Sequence, residues 1–211
     1  MKISGIGFTK FLALSALSTT IAYGGNRGSG DINPTINRDS IEIRGKVPSE
    51  GTSDSLILSK SPNPSIYYMG EKRNAKIVVS VSDNVLYYYD NSGKPIRAYS
   101  VATGKSSTPT QPGVNMVSHV EKYPYLTAPR STKRRRSPSS FGPHIIILDN
   151  VDVHTGERSM TGQFIHGNND STSIGKRVSN GCIRMSNKVI NYLSKLVKRG
   201  DLVVIKKKKK E

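Results

Sequence analysis

From residue 75 onward, hydrophobic and polar positions alternate with a period of two, the spacing at which side chains of an extended chain face opposite ways. In KIVVSVSDNVLYYYDNSGKPIRAYSVATG, residues 76–104, Ile77, Val79 and Val81 share one side of a strand. Two further runs rich in β-branched and aromatic residues flank the turn-forming cluster 90–94. This predicts a strand followed by a hairpin. More strands are expected at 114–120, at 144–148, where an unbroken apolar run implies burial on both faces, and at 163–165. The period becomes helical where Val189, Ile190, Leu193, Leu196 and Val197 recur, with Ser186 or Asn187 as N-cap and Gly200 placed to end the helix. Residues 202–205 return to a strand pattern. Short strands at turn-separated intervals with one or two helices make the fold class mainly β, a sandwich or partly closed barrel.

The same pattern divides the chain. Residues 1–24 read as a secretory signal: Lys2 and Lys10 open it, an apolar stretch covers 11–22, and Ala22, Tyr23 and Gly24 supply a small-residue cleavage point. That stretch is short and rich in Ser and Thr, and no other segment reaches the roughly 20 apolar residues of a spanning helix. No transmembrane helix is therefore expected after signal removal, and the protein is expected in the periplasm, the cell wall or the extracellular space. Residues 25–74, with runs such as GGNRGSGDINPTINRDS and SKSPNPS, read as a flexible, low-complexity leader. Its apolar patches at Ile41, Ile43 and 56–58 are placed to dock as an added strand. Residues 75–206 form one expected domain, large enough to bury an ordinary core, and 207–211 a basic tail.

Charge narrows the choice of partner. The chain has 32 Lys plus Arg against 15 Asp plus Glu; loss of residues 1–24 removes two lysines and no acids, leaving 30 against 15, a formal charge of +15. For an exported protein this favours cell-wall polymers, acidic lipid headgroups or acidic glycans over nucleic acid, and no basic element interleaved with aromatics supports a nucleic-acid partner. Much of the charge lies in runs, KRRR at 133–136 and KKKKK at 206–210, of the kind usually found in solvated loops or tails. The long segment 121–142, which contains the first run, reads either as a lid or wall over a site or as a mobile insertion.

A single cysteine is unusual where oxidising conditions favour pairs. Cys182, in SNGCIRM at 179–185, has three possible uses: pairing between chains, packing as an inert small hydrophobe, or acting as a nucleophile. A thiol with an ordinary pKa near 8.5 is only a few per cent thiolate at pH 7, so the third use requires an adjacent imidazole. His166 follows a short apolar strand and opens a Gly- and Asn-rich loop, which is expected to expose it at a strand end; His119, His144 and His154 are the alternatives. Gly181 allows a tight turn and the approach of a substrate carbonyl to main-chain N–H groups that form an oxyanion hole. Arg184 is either half of a surface ion pair or a clamp for a carboxylate.

The stretch IHGNNDSTSIGKRVSNGCIRMSN resembles the signature of the L,D-transpeptidases of the YkuD type, in which His-Gly is followed after a loop by Ser-His-Gly-Cys and an Ile-Arg-Met-like ending. STPTQPGVNMV at 107–117, FGPHIII at 141–147 and RGDLVVI at 199–205 recur in that family's order, so the resemblance extends over most of 75–206. It implies a β-sandwich-like catalytic domain acting on peptidoglycan stem peptides, with no metal and no cofactor. Under it, Cys182 matches the nucleophile, His166 the general base and Gly167 the residue whose carbonyl orients the imidazole. Gly181 and Cys182 would offer N–H groups to the oxyanion, Ser179 and Asn180 would border the substrate, and Arg184 would serve a substrate carboxylate or the site's architecture. The implied reaction releases D-alanine from a tetrapeptide stem and passes the acyl group to an amine, or to water in a carboxypeptidase reaction. One position departs from the pattern: Asn180 stands where the family more often has histidine.

Other classes compete with this reading. A non-catalytic cationic wall-binding protein, or a degenerate relative, accounts for the charge and leaves the His-Gly to Gly-Cys arrangement unexplained. A zinc enzyme built on His154, His166 and Cys182 lacks the close ligand spacing usual for such sites.

Overall fold

In the computed structural model, which describes residues 48–126 and 140–207, the sheet is built around the last strand of the chain. The strands are β1 (Ser65–Tyr68), β2 (Glu71–Asn74), β3 (Ile77–Ser80), β4 (Val85–Tyr89), β5 (Pro95–Ser100), β6 (Thr103–Gly104), β7 (Gly113–Lys122), β8 (His144–Val151), β9 (Arg158–Asn168), β10 (Arg177–Ser179), β11 (Ile183–Ser186) and β12 (Leu202–Lys206). Among the described residues, two helices, α1 (Ser55–Leu58) and α2 (Asn187–Leu193), and one 3-10 turn complete the regular structure. Eight strands form a mixed sheet in the order β11-β9-β8-β7-β12-β3-β4-β5. β12 runs antiparallel to β7 and parallel to β3, so its apolar residues have a neighbour strand on each side. Val203 and Ile205 enter one apolar cluster, and Leu202 and Val204 enter another on the opposite face. A strand buried on both faces reads as a continuous apolar run, as LVVI does.

Much of this was legible from periodicity. Ile77, Val79 and Val81 share the first cluster, and the β4–β5 turn is closed by the Asp90 carboxylate, which accepts from the Ser92 and Lys94 N–H groups at 2.9 Å. β8 faces two clusters, Ile146 and Leu148 on one side and Ile145 and Ile147 on the other. Ser186 is the N-cap of α2, its hydroxyl accepting from Val189 N–H at 3.3 Å, and Val189, Ile190 and Leu193 are buried.

Three features differ from the sequence reading. β9 is much longer than 163–165, because its exposed first half gains its stability from backbone pairing with β8 and leaves no apolar trace. Residues 48–74, read as leader, carry α1 and the β1–β2 hairpin; Ile57, Leu58, Ile66 and Tyr68 cover the second cluster. Residues 56–58 form a helical turn and not an added strand, since the Asp54 carboxylate caps it by accepting from Leu56 N–H at 2.8 Å. Residues 1–24, read as a signal, Ile41, Ile43, the 133–136 run and the end of the basic tail lie outside the described residues. No helix among the described residues is long and apolar enough to cross a membrane.

Residues from both ends of the strand order meet in one cluster: Leu86 and Tyr99 from the β4–β5 end, Ile183 and Met185 from β11. The sheet therefore curls until its edges approach. They are joined by a reciprocal backbone pair, Ala102 N–H to Arg184 C=O at 2.8 Å and Arg184 N–H to Ala102 C=O at 2.9 Å. Beside it, β6 pairs in parallel with β10, and Lys105 N–H donates to Ser179 C=O at 3.0 Å. Thr110 locks this seam, its hydroxyl accepting from Gly104 N–H and donating to Gly181 C=O, both at 2.8 Å. A Cβ on Gly104 would overlap the Thr108 carbonyl and the Thr110 nitrogen, so only glycine allows the 104–110 loop to close. Gly104→Ala is expected to cost about 1–3 kcal/mol by overpacking. Thr110→Val, which strands a buried N–H and a buried C=O, should cost a similar amount, about 1–3 kcal/mol. Both are read from denaturant unfolding; losses within about 0.5 kcal/mol, the range of ordinary surface changes, would show that the seam does not hold the edges together.

Candidate active site

β9 and β11 run parallel and adjacent, with Ile183 opposite Ile165, Arg184 opposite His166 and Met185 opposite Gly167. Ile165, Ile183 and Met185 point into the main core. Strand alternation sends His166 and Arg184 to the other face, where Phe164 packs beside Ile145, Ile147, Phe141 and Tyr125. Cys182 immediately precedes β11, and its Sγ lies 4.0 Å from the carbonyl oxygen of Gly162 on β9. The register sets Cys182, one residue before Ile183, on the chain that runs beside His166, whose own partner is Arg184. Cys182 is half-buried.

His166 is not exposed at a strand end. It lies within β9 and is 2 % accessible, because β9 continues through Gly167 and Asn168, which pair with Met185 and Ser186. Its Nδ1 is 2.6 Å from the Gly167 carbonyl oxygen. A carbonyl can only accept, so Nδ1 carries the proton in this bond and the neutral ring keeps its lone pair on Nε2. The Phe141 ring packs on the imidazole with centroids 4.5 Å apart.

The backbone around Gly167 is held by close packing. A Cβ on Gly167 would collide with Asn187 Oδ1 and meet Gly142 Cα at 3.0 Å; a Cβ on Gly142, at φ +65°, would collide with the same Asn187 oxygen. Two glycines therefore allow β9, the 141–143 segment and the start of α2 to touch. Asn187 also donates to Asn169 Oδ1 at 2.6 Å. Tyr125 donates its hydroxyl to the Gly142 carbonyl, and burial, reinforced by Tyr123 and Glu121, pushes that hydroxyl up to about 12, so it stays protonated at neutral pH.

The loop before Cys182 is cross-braced. Ser179 is fully buried; its hydroxyl donates to Cys182 C=O at 2.5 Å and accepts from Gly181 N–H at 3.2 Å. The Ser179 hydroxyl is thus spent on the loop, and the Gly181 N–H, expected from the sequence to face an oxyanion, is directed at Ser179 in this structure. Gly181 is required for its backbone, with φ +110°. Asn180 is exposed at the loop's tip. Arg184 is half-buried, and its Nε is buried without a hydrogen-bond partner.

The other histidines have separate surroundings. His119 sits between Ser118 at 3.3 Å and Glu121 at 3.2 Å, and His144 contacts Asn191 at 2.8 Å. His154 occupies the β8–β9 turn, at the opposite end of β9 from His166. Eight strand residues span roughly 25 Å, which separates His154 from any zinc set with His166 and Cys182. Sequence reasoning missed Thr110, Phe141, Gln163 and Asn187. Gln163 accepts from Gln111 N–H at 2.8 Å, tying β9 to the loop that holds Gly181. Thr110 and Phe141 lie inside the quoted stretches STPTQPGVNMV and FGPHIII, which were the available signal.

The chain is similar to known proteins over most of this domain. The family model for the YkuD L,D-transpeptidase catalytic domain matches residues 74–205. A Bacillus licheniformis protein named L,D-transpeptidase YkuD is 32% identical over 130 residues, covering 62% of this chain and 64% of its own length. One from Bacillus subtilis named L,D-transpeptidase YqjB is 30% identical over 148 residues, covering 70% of this chain and 76% of its own. The solution structure of an Enterococcus faecium L,D-transpeptidase catalytic domain aligns at 22% identity with a TM-score of 0.42, covering 64% of this chain and 98% of that one. The match to the first of these relatives thus spans less than two thirds of its length. With the family model covering more than half of its residues, the chain belongs to the YkuD family of L,D-transpeptidase catalytic domains.

Proposed function

We propose that this chain is an exported peptidoglycan L,D-transpeptidase that works through a Cys182 thioester. The observation that carries the reading is the β9–β11 register, which brings the thiol strand alongside an imidazole whose Nδ1 is engaged by the Gly167 carbonyl. Nε2 is then the basic nitrogen, as a proton acceptor for a thiol requires. Export follows from residues 1–24, and the cell envelope supplies both the substrate and anionic wall polymers to which a chain of +15 is drawn.

In the first half-reaction, Cys182 Sγ gives its proton to His166 Nε2 and bonds to the carbonyl carbon between the stem's diamino acid and its terminal D-alanine. The tetrahedral oxyanion collapses, the C–N bond breaks, and the D-alanine amine leaves with the proton held by the imidazolium. The second half runs in reverse: an acceptor amine loses a proton to His166, attacks the thioester, and expels Cys182 as thiolate, which is reprotonated. Water in place of the amine gives L,D-carboxypeptidase activity. Arg184, half-buried and paired with His166 in the strand register, adds a fixed positive charge beside the site. Phe141 limits rotation of the imidazole and keeps water from its face.

Incubation with a tetrapeptide muropeptide should give wild type an acyl adduct by intact-protein mass spectrometry, with release of D-alanine; Cys182→Ala should give neither. Absence of both products from folded wild type would favour a wall-binding or degenerate protein. His166→Gln is expected to lower kcat by about 10²- to 10⁴-fold while the melting curve stays close to wild type. Asn180→His should change activity only modestly, because Asn180 is exposed at the loop tip. Activity appearing only in that variant would show that the natural loop is not competent.

A further inference from the structure

The loop whose Thr110 holds the Gly181 carbonyl also forms one wall of a cavity. Residues 104–106 and 109–112 line a space of about 270 Å³, completed by Val81, Arg177 and Lys207. Three cations reach it from three different parts of the fold: Lys105 just after β6, Arg177 in β10 and Lys207 just after β12. The lining contains no carboxylate. Among the described residues, the ion pairs are Arg73 with Glu71, His119 with Glu121 and Lys188 with Glu50, none of them at the cavity. Arg177 is fixed in place, its Nη2 donating to the Val81 carbonyl at 3.2 Å, and Ser106 and Thr110 add hydroxyls.

Like charges repel when gathered without a counter-charge, and a concave wall focuses their field on the space between them. An anion in that space relieves the repulsion. We propose that this cavity binds a tetrahedral phosphate-class oxyanion, a phosphoryl or phosphodiester group. Cations arriving from three elements match an anion whose oxygens point in several directions; a planar carboxylate matches a single guanidinium fork. Cys182 is not in the lining, so the site stands independently of the transpeptidase reading. It shares Gly104 and Thr110 with the seam, so the bound group would sit against the segment that holds the Cys182 loop.

The test titrates the full chain with inorganic phosphate and, separately, with a short glycerol-phosphate oligomer, at constant ionic strength, following amide chemical shifts. Lys105→Gln, Arg177→Gln and Lys207→Gln are compared with Lys72→Gln and Lys198→Gln, which remove the same charge from exposed positions outside the cavity lining. Each cavity variant should weaken binding about tenfold, and each control by less than about twofold. Lys105 and Lys207 are exposed, so those two variants remain informative if Arg177→Gln does not fold. Cavity-dependent binding of phosphate identifies a single phosphoryl group as sufficient; cavity dependence for the oligomer alone identifies a phosphodiester polymer as the ligand. Equal weakening in both sets of variants, or no cavity dependence with either probe, would reduce the effect to net charge and overturn the proposal.

Discussion

Two backbone hydrogen bonds between Ala102 and Arg184 close the sheet, and the geometry of the candidate site depends on that closure. A sheet of eight strands has two free edges, and an open edge would leave the approach to Cys182 without support. Joining Ala102 to Arg184 pins β11 from one side while β9 pins it from the other. The Cys182 loop then has little freedom: Thr110 holds Gly181, Lys105 holds Ser179, and Ser179 holds Cys182. A side chain placed by a lattice of this kind keeps one geometry without reorganisation, which is what the proposed acyl transfer would require of Cys182.

The imidazole is positioned by a second, separate set of constraints. Gly142 and Gly167 let three segments touch, Asn187 fills the remaining space, and Tyr125 anchors the Gly142 carbonyl. None of these side chains supplies chemistry to the proposed reaction. Their effect is to fix the Gly167 carbonyl, and through it the tautomer of His166. Cys182 and His166 are thus held by opposite parts of the chain, the 104–110 loop on one side and the 141–143 segment with α2 on the other.

Sequence periodicity revealed what the hydrophobic effect organises. Ile77, Val79 and Val81, the two-faced run of Ile145, Ile146, Ile147 and Leu148, and Val189, Ile190, Leu193 and Val197 entered the clusters that their spacing implies, whereas Leu196, beyond the end of α2, did not. It could not reveal what backbone and hydroxyl bonds organise. β6 and β10 are two and three residues long and have no period, and Ser179 looks like any polar loop residue until its hydroxyl is seen bridging Cys182 and Gly181. The burial of His166 was hidden for the same reason: HGNN has loop composition, and only pairing with β11 extends the strand through it. The family resemblance supplied the pairing of Cys182 with His166, which composition and spacing alone left open. The cationic cavity at the seam was likewise unreadable, since Lys105, Arg177 and Lys207 are widely separated in sequence and converge only through the topology.

Coupling between Cys182 and His166 is the central claim, and the absence of any other cysteine makes it directly measurable. The rate of iodoacetamide alkylation can be followed by mass spectrometry across pH for wild type and for His166→Gln. If the imidazole takes the thiol proton, wild type should be alkylated about tenfold or more faster than the variant at neutral pH, with the two rates converging at high pH where the thiol ionises unaided. Superimposable profiles from two equally folded proteins would contradict it.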